Sequence, residues 1–280
     1  MNQTFKTHSR HGYSVKFSPY FSQRLVCATS QYFGIAGCGS LFVLDVSPEG
    51  IRPVQIFDWN ESLFDVVWAE NNENILVASS GDGSIQVWDV AQPKWDISKD
   101  QSLQTFAGHD HIVYNASWSP HIHGLFASVS GDRTLRLWDM RRPDNCARLV
   151  HASEGEILSC DWCKYDQNIV FTGGVDCIIK GWDVRSLKFP TCELRGHKYA
   201  VRRIKASPFH GAIVASSSYD FTVKIWDAAK QECLDTIEHH TEFVYGLDFN
   251  LHVPDQMADC GWDQLLHVYN TPPYSKPQNL

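Results

Sequence analysis

The sequence predicts an all-β protein, a β-propeller built from four-stranded repeats. Three observations predict it: a recurring strand–turn–strand stretch, a nearly constant spacing between its copies, and turn residues between short alternating strands. The third copy shows the unit, because an alternating strand ends at a Gly-Asp-Arg turn and its partner strand closes on Trp138-Asp139. Regular repetition over 280 residues favours one closed domain with a large core.

The repeats are numbered by the residue that closes the third strand of each. The intervals between these residues are 44, 50, 44, 44 and 43, close to the length of a propeller blade, and the closing residues are Leu44, Trp88, Trp138, Trp182, Trp226 and Tyr269. Four of the six begin a Trp-Asp dipeptide, which is typical of a WD40-type propeller. We expect the propeller to cover residues 11–270, between an N-terminal segment, 1–10, that can supply a closing strand and a flexible tail, 271–280.

One interval breaks the period. A second dipeptide, Trp95-Asp96, stands seven residues after Trp88, and the interval from Trp95 to Trp138 is again 43. One interpretation is a loop insertion that contains a chance Trp-Asp. The other is that Lys94–Phe106 is the tail of a repeat that has lost about 37 residues, one period less seven. We favour the second, which predicts six intact repeats and a remnant of a seventh.

Composition narrows the class of function. A net charge of −8 disfavours a nucleic-acid partner and allows a basic ligand. No apolar run approaches the length of a membrane span, and the first residues lack the hydrophobic core of a signal peptide, so no membrane insertion is expected. Nine cysteines in such a chain are interpreted as reduced thiols of a cytosolic protein.

Several repeats carry His, Ser or Thr, Asp and Trp at fixed spacing. These residue types resemble a hydrolase triad, but an active site is needed once whereas this set recurs. A buried hydrogen-bonded chain that satisfies the indole N–H explains the recurrence better, so we predict no enzyme and no catalytic residue. The predicted structural sets are His109–Ser128–Asp132–Trp138, His151–Thr172–Asp176–Trp182 and His197–Ser216–Asp220–Trp226.

Three further patterns suggest ligands and are set aside. Cys160 and Cys163 have the spacing of half a zinc site, but residues three apart in a strand point to opposite faces. His121 and His123 alternate in a loop without further ligands in the sequence. The glycine-rich stretch 34–39 lacks a following helix to bind a phosphate. We therefore expect no metal and no cofactor.

The starts of the innermost strands carry aromatic and acidic residues. Alignment of the repeats places four aromatic side chains in one column, Tyr13, Phe64, Tyr114 and Tyr245, with carboxylates nearby at Asp65, Glu156 and Glu242. An apolar rim with carboxylates suits a short amphipathic helix that carries cationic side chains. The alternative is that these aromatic residues pack the core of each repeat.

A second binding pattern follows two of the Trp-Asp dipeptides. Residues 138–141 and 182–185 fit Trp-Asp-x-Arg, with Arg141 and Arg185 in the last position. The pattern resembles that of substrate receptors for cullin-type ubiquitin ligases. Such a receptor, or a general WD-repeat scaffold, is therefore the alternative function.

Several longer strings are more specific than a repeat consensus. They extend from about Gly12 to Tyr269, and they are Tyr13…Phe17-Ser18-Pro19, Gly34–Gly39, Phe57-Asp58-Trp59-Asn60, Leu158–Tyr165, Ser207-Pro208-Phe209-His210, Ser218–Val223 and Glu238–Phe243. In these strings the chain resembles the cytosolic receptors for the type-2 peroxisomal targeting signal, the WD-repeat members of the peroxins.

The resemblance implies a binding protein that moves between the cytoplasm and the peroxisome matrix. It implies capture of matrix proteins through an N-terminal helical nonapeptide, with Arg early and His or Gln late, together with a co-receptor and docking peroxins. Carboxylates would pair with the peptide Arg and aromatic residues would hold its apolar positions. The family resembles a seven-bladed propeller, whereas six repeats are intact here.

Overall fold

A computed structural model describes residues 2–69, 72–80, 85–91, 108–139, 141 and 146–274. Strands are numbered β1 to β23 in chain order. The chain divides into two compact units: among the described residues, the first contains those up to 91 and 240–273, and the second contains 108–239 with Tyr274. The described residues include no helix with the length and apolarity needed to cross a membrane.

The first unit contains three antiparallel sheets. One sheet has the strand order β1-β23-β22-β21, another β2-β3-β4-β5, and the third β6-β7-β8. A short 3₁₀ helix, Tyr32–Gly34, joins β3 to β4. The strands are β1 Gln3–Lys6, β2 His11–Phe17, β3 Arg24–Ser30, β4 Gly39–Ser47, β5 Gly50–Trp59, β6 Leu63–Trp68, β7 Ile75–Ser80, β8 Ile85–Asp89, β21 Val244–Phe249, β22 Gln256–Gly261 and β23 Leu265–Asn270.

The second unit contains three further sheets, each with four strands in chain order. Their strands are β9 Val113–Trp118, β10 Leu125–Ser130, β11 Thr134–Asp139, β12 Cys146–His151, β13 Ile157–Trp162, β14 Ile169–Gly174, β15 Ile178–Asp183, β16 Cys192–Arg195, β17 Val201–Ala206, β18 Ile213–Ser218, β19 Val223–Asp227 and β20 Glu232–Ile237.

These six sheets are the blades of a β-propeller, which confirms the predicted fold class. Each blade begins with its inner strand, and a six-residue connection leads to the second strand. The predicted Gly-Asp-Arg turn lies between β10 and β11, the second and third strands of their blade. The N-terminal strand β1 pairs antiparallel with β23, with Gln3 opposite Val268. The remnant predicted at Lys94–Phe106 lies outside the described residues, as does the tail after Tyr274, and both stay predictions.

Neighbouring blades pack through alternating residues of their inner strands. The last residue of an inner strand faces the preceding blade: the buried Trp162 donates its indole N–H to the carbonyl of Ser117 at 3.0 Å, and Trp68 donates to the carbonyl of Lys16 at 3.3 Å. The residue before it faces the following blade, since Asp161 accepts from the Ala206 N–H at 2.9 Å. Full burial of one such large side chain stabilises the fold by about 1.5–3 kcal/mol.

Candidate functional site

Three of the four predicted aromatic residues lie together in the first unit. Tyr13 is buried, and its ring centroid lies 5.2 Å from that of Phe64 and 4.9 Å from that of Tyr245. Each residue stands near the start of an inner strand, in β2, β6 and β21. Equivalent positions in neighbouring blades come close together, which is why aligning the repeats found this group.

A tryptophan that the sequence interpretation missed lies beside this group. Trp262 stacks on Tyr245 with ring centroids 4.9 Å apart and an interplanar angle of 11°, and it contacts Phe33 at 5.1 Å and Phe243 at 5.2 Å. Its signal in the sequence is a Trp-Asp dipeptide in the turn after β22, where the period requires no closing residue. We call Tyr13, Phe33, Phe64, Phe243, Tyr245 and Trp262 the aromatic cluster.

The loop after β3 lies directly on the aromatic cluster. Gly34 has a φ of +70°, and a Cβ at this position would lie 2.6 Å from a ring carbon of Phe64 and 2.7 Å from Oη of Tyr13. Glycine is therefore required there, for backbone conformation and for space. Tyr32 and Ile35 on either side are exposed, so the loop places apolar side chains in solvent beside the cluster.

The two predicted carboxylates of the first unit differ in their surroundings. Glu242 is exposed and precedes Phe243 of the aromatic cluster in the chain. The carboxylate of Asp65 accepts a hydrogen bond from Oγ of Ser14 at 2.5 Å and one from the N–H of Val66 at 3.0 Å. Asp65 therefore belongs to the hydrogen bonds between inner strands, and Glu242 is the more accessible charge.

The second unit holds the other two predicted residues, and they form a pair. Tyr114 donates its hydroxyl proton to Oε2 of Glu156 at 2.8 Å. The bond joins β9 to the residue that directly precedes β13, the inner strand of the next blade. Burial raises the pKa of Tyr114 to about 12, and the hydrogen bond and negative charge of Glu156 add to the effect. The phenol thus stays protonated and holds the carboxylate in place.

Two of the predicted structural sets form the expected hydrogen bonds. His109 joins Asp132 at 2.7 Å and Ser128 at 2.6 Å, and the indole of Trp138 donates to the same serine at 2.8 Å. His197, Ser216, Asp220 and Trp226 repeat this geometry. Burial opposes ionisation of Asp132, but bonds from Thr134, His109 and two backbone N–H groups outweigh it and lower its pKa.

The prediction of His151 in the second set is wrong. His151 lies exposed at the end of β12, opposite Thr134, and Asp176 instead accepts from Oγ of Ser153 at 2.8 Å. The reason is spacing, since the residue that meets the Asp stands 23 positions before it in His109 and His197, and Ser153 occupies that position here. Trp182 still donates to Thr172 at 2.9 Å.

A further set in the last blade was missed. His240 joins Asp263 at 2.8 Å and Asp259 at 2.9 Å, so a carboxylate stands where Ser128 and Ser216 stand in other blades. Burial disfavours the charged imidazole, but the two carboxylates outweigh it and raise the pKa of His240 to about 9. The sequence interpretation required Ser or Thr at this position and therefore passed over the set.

The histidines around this set do not make a metal site. Possible ligand atoms of His239, His240 and His267 lie within 4.8 Å of one another. Both ring nitrogens of His240 are bonded to carboxylates, so the ring is a doubly protonated cation without a lone pair for a metal. Three neighbouring histidines here therefore supply at most two ligands.

The other candidate ligands have local roles. The thiols of Cys160 and Cys163 are buried and contact different neighbours, Oδ1 of Asn115 at 3.6 Å and the carbonyl of Gly211 at 3.5 Å. Burial raises the pKa of Cys160, which keeps it a thiol. The guanidinium groups of Arg141 and Arg185 are exposed, and each pairs at 2.7 Å with the Asp of its own Trp-Asp dipeptide.

The fold and the repeated hydrogen-bond sets define a WD-repeat β-propeller. The model of the family "WD domain, G-beta repeat" matches residues 52–89, 100–139, 145–183 and 188–227. The chain is 46% identical to the mouse (Mus musculus) peroxisomal targeting signal 2 receptor, over 96% of each chain, and 47% identical to the human (Homo sapiens) one, over 86% of this chain and 87% of the relative. The Arabidopsis thaliana peroxisome biogenesis protein 7 is 38% identical over 92% of this chain and 95% of its own. The chain belongs to the family of peroxisomal targeting signal 2 receptors.

Proposed function

We propose that this chain is a non-enzymatic import receptor that binds the N-terminal helical type-2 targeting signal of peroxisomal matrix proteins. The observation that carries the proposal is the aromatic cluster beside an exposed carboxylate, in a chain whose relatives are named as receptors for this signal. A co-receptor and docking peroxins would act with it, and the receptor would cycle between the cytoplasm and the peroxisome. It needs no cofactor for this role.

The first unit offers complementary chemistry to one side of such a helix. The exposed Tyr32 and Ile35 extend the apolar surface of the aromatic cluster and would pack on the aliphatic positions of the peptide. Glu242, next in sequence to Phe243, would pair with the early Arg in a charge-assisted hydrogen bond. Asp65 would add negative charge from its position between the inner strands.

The second unit contributes a separate surface, centred on Glu156. Tyr114 occupies one carboxylate oxygen, and no hydrogen bond from the described residues reaches the other, Oε1. A carboxylate held in one orientation loses little conformational entropy when it accepts a cation. We therefore propose Glu156 as a second anchor for a cationic side chain, with Tyr114 positioning it.

Charge reversal tests the proposal. A labelled nonapeptide with Arg early and His late is expected to bind the wild type in fluorescence anisotropy, and Glu242→Arg and Glu156→Arg are each expected to weaken binding about tenfold, or 1.4 kcal/mol. The triple variant with Asp65→Arg should bind undetectably. The matched control is Glu232→Arg, an equal change of charge on the exposed start of the outer strand β20. Undiminished binding by a folded triple variant would refute these carboxylates as anchors for the peptide.

The alternative function rests on Arg141 and Arg185. Their bidentate pairs with Asp139 and Asp183 are local contacts, and these explain the Trp-Asp-x-Arg pattern without a partner. We therefore expect the protein not to co-purify with a cullin adaptor. Co-purification that is lost in the double Arg→Ala variant would favour the ligase substrate receptor instead.

A further inference from the structure

One blade of the second unit exposes a face that every other blade buries. Trp118 at the end of β9 is 55% exposed, whereas the equivalent residues of the other inner strands are at most 8% exposed: Phe17, Trp68, Trp162, Ala206 and Phe249. Val113 is 49% exposed, against at most 1% for its equivalents Leu63, Ile157, Val201 and Val244. This face, which we call the Trp118 face, is apolar and includes the exposed Ala116.

One blade of the first unit exposes the side of its inner strand that in other blades faces the following blade. In β6 and β7, Val67 lies opposite Val77 and Asp65 lies opposite Ser79, so these side chains share one side of the sheet. Val67 is 48% exposed and Ser79 is exposed, whereas the equivalents of Ser79 are fully buried: Ala28, Val129, Ser217 and Cys260. We call this surface the Val67 face.

The two faces are the two halves of an ordinary inter-blade contact. Trp68 and Trp162 each donate an indole N–H to the backbone carbonyl one residue before the end of the preceding inner strand, at Lys16 and Ser117. Val67 occupies that position in β6, and Trp118 occupies the donor position in β9. The Trp118 face therefore has the chemistry and shape that a Val67 face accepts.

The length of the alignment with a relative matches the loss of one repeat from this chain. The mouse alignment spans 307 positions, whereas 96% of this 280-residue chain is about 269 residues, so about 38 positions of the relative face gaps. That number is close to one repeat, which supports the loss of a repeat from this chain. A lost repeat would have covered both faces, one on each of its sides.

We propose that the Trp118 face of one copy of this chain docks on the Val67 face of a second copy. Exposed apolar sheet faces of this kind are rare on monomeric proteins and mark interaction sites. A second copy is the occupant that the chain itself supplies, since every copy carries both halves of the interface. Because the two faces differ, association is head to tail and gives a dimer or a longer assembly.

Two surface substitutions test the proposal by complementation. Sedimentation velocity should show wild-type assembly that grows over a concentration range on the order of a hundred-fold. Val67→Arg and Trp118→Arg should each be monomeric alone. An equimolar mixture should form a one-to-one dimer, because the first variant keeps its Trp118 face and the second keeps its Val67 face.

The controls separate this result from misfolding and from closure within one chain. Ile56→Arg changes an exposed apolar residue of β5 and should leave assembly unchanged. Trp118→Ser, which adds no charge, should also abolish assembly while circular dichroism stays that of the wild type. A wild type that is monomeric throughout, or a mixture that stays monomeric, would overturn the proposal.

Discussion

Inserting one full repeat after Asp89 is expected to raise the melting temperature of this protein by at least about 6 °C, since about 3 kcal/mol shifts a chain of this size by roughly 2–4 °C per kcal/mol. The repeat would come from the mouse receptor, whose alignment with this chain leaves about 38 of its positions opposite gaps. It would cover the Trp118 face and the Val67 face, where Trp118, Val113 and Val67 are each about half exposed. Half the burial value of three large side chains gives about 3 kcal/mol.

Thermal melting followed by circular dichroism would measure this change. A Gly/Ser insertion of equal length at the same place is the control, because a flexible loop adds closure entropy and no packing. The restored protein should also be monomeric in sedimentation velocity, since both faces would be covered. Equal melting temperatures would show that six blades are the native arrangement of this chain and that the inserted repeat packs on neither face.

The fold could be predicted because every blade repeats the same local chemistry. Alternating apolar residues, a turn with Asp, and a closing aromatic residue recur at one period, so the Gly131–Arg133 turn and the strand that closes on Trp138-Asp139 were predicted where β10 and β11 place them. The exposed faces at Trp118 and Val67 could not be predicted residue by residue. Their exposure depends on which blade comes next, and the local sequence of β9 and β6 is that of an ordinary blade.

Residues of the candidate site were predicted only where they occupy equivalent positions in successive repeats. Tyr13, Phe64 and Tyr245 occupy equivalent positions, and alignment of the repeats therefore found them. Trp262 lies at a turn position that holds Gly131, Val175 and Tyr219 in other blades. Phe33 lies in the loop between β3 and β4, which is longer than the turn between β10 and β11, so alignment of the repeats found neither residue. Ser153 was missed for the opposite reason, because a chance histidine at 151 stood close to the required position.

Replacing His240 by Gln is expected to destabilise the protein by about 3 kcal/mol at about pH 6, the cost of removing the cation that two buried carboxylates share. His240 pairs with both Asp259 and Asp263, and all three side chains are almost fully buried. Urea unfolding at fixed temperature would measure the loss. A loss similar to that of an exposed substitution would show that the set contributes little.

The same set predicts how stability depends on pH. The pKa of His240 is about 9 in the folded protein and about 6.5 in an ordinary imidazole, so folding favours the protonated form. Its contribution is therefore fully present below about pH 6.5 and is lost as the pH rises through about 9. The difference in stability between the wild type and His240→Gln should shrink over that range. The ring centroid of His267 lies 4.8 Å from that of His240, and because His267 is present in both proteins, the comparison isolates His240.

A second substitution in this set separates charge from packing. Asp259→Ser introduces the residue type found at Ser128 and Ser216, so the set in the last blade would keep one carboxylate, that of Asp263. Combined with His240→Gln, it should recover about half of the lost stability, because one of the two buried carboxylates disappears. If the double variant were less stable than His240→Gln alone, the loss would come from packing rather than from buried charge. Recovery would show that buried charge causes the loss, and that His240 stabilises the last blade by staying protonated at neutral pH.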